Sequence, residues 1–278
     1  MLRQRVITAL VLAGALIATL LFAPYPVQVI LFALVAAAGG WEWAALVGAQ
    51  GALSRAIYAA IIPLLCGALW MGLALDGPEA SLYARPWLAA TALLWSAMLV
   101  GLKYYSAGRG LWGYAWVRAV MGWLMLTATW LAVAVCLTLI NGPFIVFLLI
   151  LTVAVADIGA YFAGRRFGQH ALAAEISPAK TWEGFWGGML CVGLLATLIW
   201  QNLPLSQLHL GWGSLMVLGL ATAGASVVGD LTVSLLKREV GLKDSGSLLP
   251  GHGGLLDRLD SICGAAPVFA LGLLLIGY

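Results

Sequence analysis

Charged side chains are scarce in this 278-residue chain. Only 9% of its residues are Asp, Glu, Lys or Arg, and 63% are hydrophobic, whereas a soluble domain carries about 25% charged residues. The deficit argues against an ordinary water-soluble fold. The four cysteines lie singly in apolar segments, with no C-x-x-C pair, so neither a zinc site nor a disulfide framework is indicated. The chain also has no G-x-x-x-x-G-K-[ST] and no G-x-G-x-x-G after a strand, which excludes two common phosphate-binding loops.

Continuous apolar runs recur along the whole chain instead. A membrane's hydrocarbon core takes roughly 20 helical residues to cross, and these runs do not alternate as the strands of a membrane barrel do. The basic start and the apolar run after it are interpreted as a retained first helix, because no clear cleavage pattern precedes Pro24. We predict an all-α polytopic integral membrane protein with about nine transmembrane helices, at roughly 4–23, 27–48, 56–75, 86–104, 119–140, 144–164, 182–201, 211–236 and 261–278.

The basic residues orient these spans. With a cytosolic N-terminus, 13 of the 14 Lys and Arg residues fall on the cytosolic side, and only Arg85 falls outside. Such a division is strong support under the positive-inside rule. The longer and more basic loops, 105–118, 165–181 and 237–260, then lie in the cytosol. A site for an anionic substrate should therefore face the cytosol.

Three acidic residues fall inside predicted spans, where charge is costly and usually functional. Glu42, Asp157 and Asp230 each precede the cytosolic end of a span by about six or seven residues, or roughly 9–11 Å. This common depth predicts a polar cavity open to the cytosol. Two alternatives stay open: Glu42 stands between two tryptophans and could snorkel to the interface, and Asp157 could pair with Arg165 or Arg166.

One helix face carries a carboxylate, a hydroxyl and two cations. Asp230, Ser234, Lys237 and Arg238 follow one another at i, i+4, i+7 and i+8, the spacing of a single face. This set of groups suits a metal ion and a phosphate better than it suits lipid. We therefore expect Asp230 to be functional.

The segment 235–261 follows directly and holds eight of the chain's 25 formally charged residues. Its glycines allow backbone N–H groups to turn towards an anion. Asp257 and Asp260, three residues apart, would project to one side of a helical turn and suit Mg²⁺. The basic residues could hold a polyphosphate; they are Lys237, Arg238, Lys243 and Arg258. A solvated cytosolic loop is the alternative. His252 could act as a general base, bind phosphate or structure the loop.

The loop before the seventh predicted span ends in a second polar cluster. Ser177, Lys180, Thr181 and Glu183 lie within seven residues of one another. The Ser-Pro pair indicates a turn, and Thr181 with Glu183 is typical of a helix start. The cluster is therefore either a helix N-cap or a second phosphate contact through Lys180 and the helix N-terminus.

The segment Ser234–Asp260 resembles the signature of the phosphatidate cytidylyltransferases, also called CDP-diacylglycerol synthases. That signature asks for Ser, Lys-Arg, Lys-Asp, a small residue, Pro or Gly, His-Gly-Gly and Asp-Arg-x-Asp at fixed spacing. "ADIGAYFAGRRFG" and "ISPAKTWEG" upstream also resemble the family, so the specific likeness covers about 150–261. The matching positions are Ser234, Lys237, Arg238, Lys243, Asp244, Gly246, Pro250, His252, Gly253, Gly254, Asp257, Arg258 and Asp260.

The resemblance implies that phosphatidic acid attacks the α-phosphorus of CTP or dCTP, giving CDP-diacylglycerol and pyrophosphate. It implies Mg²⁺, with a monovalent cation as a further candidate, and a homodimer in the cell's inner (plasma) membrane with its active site facing the cytosol. We expect no nucleic-acid partner. The helices of 1–140 and a catalytic region at 141–278 would form one membrane unit.

The resemblance also implies roles for individual residues. Metal ligands are expected at Asp230 and Asp257, and Asp157 is a further candidate. Asp260 would be another ligand or would orient Arg258. The expected catalytic residues are Asp230, Asp257, Asp260, Lys237 and Arg258. The expected substrate-binding residues are Ser234, Arg238, Lys243, Asp244, His252, Gly253, Gly254, Lys180 and Ser177.

Two other functions remain open. A related CTP-dependent enzyme could act on another membrane lipid. An ion-coupled transporter could instead use Glu42, Asp157 and Asp230, and helices broken near the bilayer midplane would favour it. A CDP-alcohol phosphotransferase is disfavoured, because its D-x-x-D-G-x-x-A-R run is absent.

Overall fold

The computed structural model describes residues 2–105, 110–202, 210–251 and 253–278, and these are almost entirely helical. Two short strands lie between the sixth and the seventh helix. The helices are α1 Leu2–Phe22, α2 Tyr25–Val47, α3 Ala52–Gly72, α4 Ala80–Lys103, α5 Ala115–Thr138, α6 Gly142–Phe167, α7 Trp182–Asn202, α8 Trp212–Glu239 and α9 Leu256–Leu275, and the strands are β1 Ala171–Ala173 and β2 Ser177–Thr181.

The prediction of an all-α polytopic membrane protein is confirmed. Within the described residues, eight helices are long and apolar enough to cross a membrane, and α1 contributes a shorter apolar stretch, Val6–Phe22. Each predicted span overlaps one of the nine helices. The main difference is at the last predicted loop, since α9 begins at Leu256 rather than near 261. An acidic first turn stabilises a helix N-terminus through its dipole, and Asp257 stands in that turn.

The cytosolic loop predicted at 165–181 contains a small antiparallel hairpin. Ala171 pairs with Thr181, and Ala173 pairs with Ser177. Strands of three and five residues are too short to show the alternation by which a strand is recognised. The predicted helix start is confirmed, because the Thr181 Oγ1 accepts a hydrogen bond of 3.2 Å from the Gly184 N–H. The hairpin therefore leads directly into α7.

The helices pack with α5 most enclosed, whereas α3 and α4 turn most of their side chains outward. The helix pairs α6–α7 and α8–α9 make the most extensive contacts. The α8–α9 crossing is close because glycines face each other there. A Cβ added at Gly229 would lie 2.7 Å from the Gly264 N, and one at Gly264 would lie 2.9 Å from the Gly229 N. This crossing brings Asp230 of α8 and Asp260 of α9 to the same end of the bundle.

Candidate functional site

An ion pair joins the hairpin to α8. The Lys180 ammonium on β2 contacts the Asp230 Oδ2, and the Ser234 hydroxyl donates a 3.1 Å hydrogen bond to the Asp230 Oδ1. Ser234 lies one turn after Asp230, so the helix itself supplies that donor. Both side chains of the ion pair are partly exposed, at 29% and 24%. The Asp230 carboxylate is therefore held from two sides and stays partly exposed.

A second ion pair joins α8 to the first turn of α9. The Lys237 Nζ lies 2.8 Å from the Asp257 Oδ1, and these side chains are only 10% and 14% exposed. The Asp257 carboxylate also accepts hydrogen bonds from the backbone N–H groups of Ser245 and Gly254, at 3.1 to 3.3 Å. Asp257 is thus enclosed by the glycine-containing loop between α8 and α9.

Two further carboxylates complete the acidic cluster. Asp260 is 7% exposed, accepts a 2.7 Å hydrogen bond from the Ser261 N–H, and lies within electrostatic range of Asp230 and Lys180. Asp157, on α6, also interacts electrostatically with Asp230 and Lys180. Four aspartates of α6, α8 and α9 are therefore connected to Lys180 and Lys237 by ion pairs or by electrostatic interaction.

Asp157 lines a cavity of about 440 Å³, together with Ser177 and Lys180 of the hairpin. Ligand pockets are typically about 300–1,000 Å³, so the cavity is large enough for a substrate. The alternative pairing of Asp157 with Arg165 or Arg166 is wrong, since Asp157 forms no salt bridge within the described part of the chain. The Arg165 guanidinium donates to the Tyr161 hydroxyl instead, at 3.2 Å.

Other site residues predicted from the sequence lie on α8 and on the loop that follows it. The Arg238 Nε donates to the Ile176 carbonyl at 3.2 Å, which ties α8 to the hairpin. Lys243 and Asp244 are exposed on the loop, whereas Gly254 is buried and Gly253 is half-buried.

Tyr105, which follows α4, fixes the end of α8. Its hydroxyl donates a 2.9 Å hydrogen bond to the Glu239 Oε2. Burial, together with this hydrogen bond, raises the pKa of Tyr105 to about 12. The phenol therefore stays a donor at physiological pH, next to the turn of α8 that carries Lys237 and Arg238.

One expected site residue lines a separate cavity, and another falls outside the described part of the chain. Arg258 lines a different cavity of about 650 Å³, which is mostly apolar and lies between α9 and the helices α1, α2, α5 and α6. It follows Asp257 directly, but successive residues on a helix point in different directions. His252 lies outside the described residues.

Glu42 makes contacts with a distant loop that the sequence did not predict. It is 2% exposed, so the interpretation as a snorkelling interfacial carboxylate is wrong. It accepts hydrogen bonds from the loop between α8 and α9, and one of them comes from the Ser245 hydroxyl at 3.2 Å. The only signal in the sequence was an acid inside an apolar span.

The donor set fits a hard divalent cation. Carboxylate oxygens are the ligands that Mg²⁺ prefers, and it commonly takes one or two of them together with substrate phosphates. Among the residues that the structure describes, no three acidic, histidine or cysteine side chains form a ready-made metal cage. The carboxylates of Asp230 and Asp257 each form an ion pair with a lysine ammonium group instead.

Comparison with known proteins identifies the family of this chain. Residues 3–276 match the cytidylyltransferase family. The chain belongs to that family. It is 40% identical over 278 residues to the phosphatidate cytidylyltransferase of Pseudomonas aeruginosa, covering 97% of this chain and 96% of that protein. It is 34% identical to the phosphatidate cytidylyltransferase of Haemophilus influenzae, covering 97% of this chain and 98% of that protein.

The cytidylyltransferase match includes the N-terminal helices as well as the charged segment. A shorter likeness, 43% identity over 127 residues, links 45% of this chain to 40% of the Mycobacterium bovis phosphatidate cytidylyltransferase. Membership of an enzyme family argues against the alternative of an ion-coupled transporter. Helices broken near the bilayer midplane would have favoured that alternative. Asp157 and Asp230 lie instead within the continuous helices α6 and α8.

Proposed function

We propose that this protein transfers the CMP moiety of CTP to phosphatidic acid, giving CDP-diacylglycerol and pyrophosphate. The observation that carries the proposal is a cluster of four aspartates and two lysines, of which Asp157 and Lys180 line a cavity that also has apolar walls. A nucleoside triphosphate needs the charged groups, and a lipid substrate needs the apolar wall beside them. Membership of the cytidylyltransferase family and the names of the full-length relatives support the same reaction.

The reaction needs positioning and charge stabilisation more than proton transfer. A phosphate monoester has a second pKa of about 6, so the phosphatidate oxygen is already nucleophilic at neutral pH. That oxygen attacks the α-phosphorus of CTP, a new P–O bond forms, the bond to the β-phosphate bridge breaks, and pyrophosphate leaves. The ammonium groups of Lys180 and Lys237 would hold phosphate oxygens during this exchange.

The acidic residues would hold Mg²⁺, which neutralises charge on the phosphates when it is bound. Asp230 and Asp257 are the ligands that we propose, with Asp157 and Asp260 as further candidates and a monovalent cation as an additional partner. Ser234 orients the Asp230 carboxylate through its hydrogen bond of 3.1 Å. The backbone N–H groups of Ser245 and Gly254 orient Asp257 in the same way.

We also propose that the site faces the cytosol of the inner membrane, that dCTP is accepted, and that the protein works as a homodimer. The excess of Lys and Arg on the side of the site supports this orientation. Labelling of single cysteines introduced at Lys243 and at Asp76 in intact cells tests the orientation, since Asp76 lies in the loop between α3 and α4. Cross-linking of the purified protein in membranes tests the dimer.

The reaction itself is tested with purified protein, phosphatidic acid in mixed micelles, and labelled CTP or dCTP, with and without Mg²⁺. We expect a labelled CDP-lipid to form only when Mg²⁺ is present. Parallel assays with other phosphorylated membrane lipids separate this function from that of a related enzyme. If phosphatidic acid yields no CDP-lipid, the proposal fails.

A single substitution then tests the metal assignment. Asp257→Asn should nearly abolish turnover while the protein still inserts and folds, because the amide removes the charge that Mg²⁺ and Lys237 require. Asp76→Asn is the matched control, since Asp76 is exposed in a loop outside the cluster. Wild-type rates from the Asp257 variant in Mg²⁺ would contradict the assignment.

A further inference from the structure

Glu42 is a buried carboxylate on α2, about 200 residues away in sequence from the loop that it contacts. Its Oε1 accepts a 3.2 Å hydrogen bond from the Leu248 N–H. Its Oε2 accepts hydrogen bonds from the Leu256 N–H at 2.8 Å and from the Ser245 hydroxyl at 3.2 Å. One side chain of the N-terminal half thus binds the loop before α9 at two residues and also binds the first residue of α9.

The contact with Leu256 replaces a missing helix cap. Leu255, at the N-cap position of α9, has no side chain that could accept a hydrogen bond from the first turn. The first N–H groups of a helix need an acceptor, and a carboxylate there also interacts favourably with the helix dipole. Glu42 supplies both from another helix. The helix start that it fixes carries Asp257 and Asp260.

Two glycines of the loop lie against the Glu42 carboxylate. A Cβ added at Gly246 would lie 2.6 Å from the Glu42 Cδ, and one added at Gly254 would lie 2.7 Å from its Oε2. Both distances are too short for a real side chain. These two glycines are therefore required by the approach of the loop backbone to Glu42, whatever part other glycines have in binding phosphate.

Ser245 connects Glu42 to the site. Its hydroxyl donates to Glu42, while its backbone N–H donates to the Asp257 carboxylate. Asp257 in turn pairs with Lys237. A shift of the loop away from Glu42 would move the Ser245 N–H and so change the direction of the Asp257 carboxylate.

We propose that Glu42 is a positioning residue for catalysis, which holds the loop 241–255 and the start of α9 so that Asp257 and Lys237 keep their places. The N-terminal helices then complete the site rather than only surround it. The inference rests on the proposed function for the role of Asp257, but the loop contact can be tested without any assay of activity.

Glu42→Gln is the first test, because the amide keeps the size of the side chain and turns one acceptor into a donor. In either orientation of the amide, its NH₂ group would face a backbone N–H, that of Leu248 or that of Leu256. Two donors then face each other, and one hydrogen bond is lost. Hydrogen exchange of the purified protein, followed by mass spectrometry, should show amides in 245–256 exchanging about fivefold faster, the effect of one lost hydrogen bond. Amides in the middle of α8 should be unchanged.

The matched control is Gln28→Ala at the other end of α2. Gln28 is 3% exposed and donates to the Ala23 carbonyl at 2.9 Å and to two other carbonyls near the α1–α2 turn. Its loss should lower thermal stability without changing exchange in 245–256. This control separates a general loss of stability from release of the loop.

Turnover then distinguishes positioning from a purely structural role. In Glu42→Gln we expect kcat per folded protein to fall about tenfold, because a small misplacement of a catalytic group is costly, with KM for CTP nearly unchanged. Unchanged exchange in 245–256 would overturn the contact, and faster exchange with wild-type kcat would overturn the positioning role. If wild-type protein makes no CDP-lipid, the proposed function fails and the exchange result still decides the contact.

If Glu42→Gln does not fold, Ser245→Ala tests the same contact with a smaller change. Ser245→Ala removes the hydroxyl that binds Glu42 and keeps the N–H that binds Asp257. We expect a smaller change in the same direction for both exchange and kcat. Ser247→Ala, an exposed position in the same loop, should behave like wild type. Equal behaviour of the two serine variants would contradict the proposal.

Discussion

The close crossing of α8 and α9 makes a sharp prediction for Gly264→Ala. The added Cβ would lie 2.9 Å from the Gly229 N and 3.0 Å from the Gly229 Cα, and nearer still to the Ala225 carbonyl. Each of these neighbours is backbone, so no side-chain rotation relieves the contact. Reaching an ordinary separation of about 3.5 Å from the Gly229 N, now at 2.9 Å, requires the helices to part by about 0.6 Å, and the nearer Ala225 carbonyl requires a larger shift.

That displacement falls directly at the site, because Asp230 follows Gly229 and Asp260 is one turn before Gly264. Overpacking of this kind costs about 1–3 kcal/mol, so we expect a lower melting temperature in detergent. A misplacement of about 1 Å can reduce a rate about 10²-fold. A shift larger than about 0.6 Å should therefore lower kcat by about tenfold or more.

The assay is turnover of labelled CTP with phosphatidic acid, normalised to folded protein by gel filtration. Gly67→Ala is the matched control, since Gly67 lies within α3 and a Cβ there would meet nothing within 4 Å. It should keep both stability and rate. If Gly264→Ala loses stability but turns over at the wild-type rate, the crossing does not position the acids and the reasoning is refuted.

Two further predictions concern the hairpin. Lys180→Gln leaves Asp230 without its ion pair and removes a phosphate donor, so kcat should fall on the order of 10²-fold while helix content measured by circular dichroism stays the same. Glu183→Ala removes the carboxylate that accepts hydrogen bonds from the backbone N–H groups of Gln169 and His170; we expect faster hydrogen exchange across the hairpin and a several-fold rise in KM for CTP.

Much of the architecture could be predicted because the physics behind it is local. A membrane span is recognised from a single apolar run of sufficient length, and turns such as the one before α2 are marked by proline. The cap at Thr181 could be predicted for the same reason, since its donor lies three residues away. The hairpin could not, because its strands are too short to carry a pattern.

The site was predictable where its residues share one helix and was not where they come from distant segments. Asp230 and Ser234 are neighbours on α8, so their hydrogen bond follows from helical spacing. The contact of Glu42 with Ser245 joins residues 203 apart, and no local pattern encodes it. The position of the Arg258 side chain could not be predicted either. The motif gives its place in the sequence, but not that it lines the apolar cavity of about 650 Å³.

The charges of the site indicate how its parts depend on one another. With all four aspartates ionised, the cluster carries an excess of negative charge over the ammonium groups of Lys180 and Lys237 before any substrate is present. The Arg238 Nε donates to a backbone carbonyl rather than to the cluster. A triphosphate adds more negative charge, and in a site of low dielectric such repulsion is strong. A cation that binds carboxylates and phosphates together would turn this repulsion into attraction, whereas the lysines alone would not balance it. The acids would thus make nucleotide binding conditional on the metal, and Glu42 would keep one of them, Asp257, in its place.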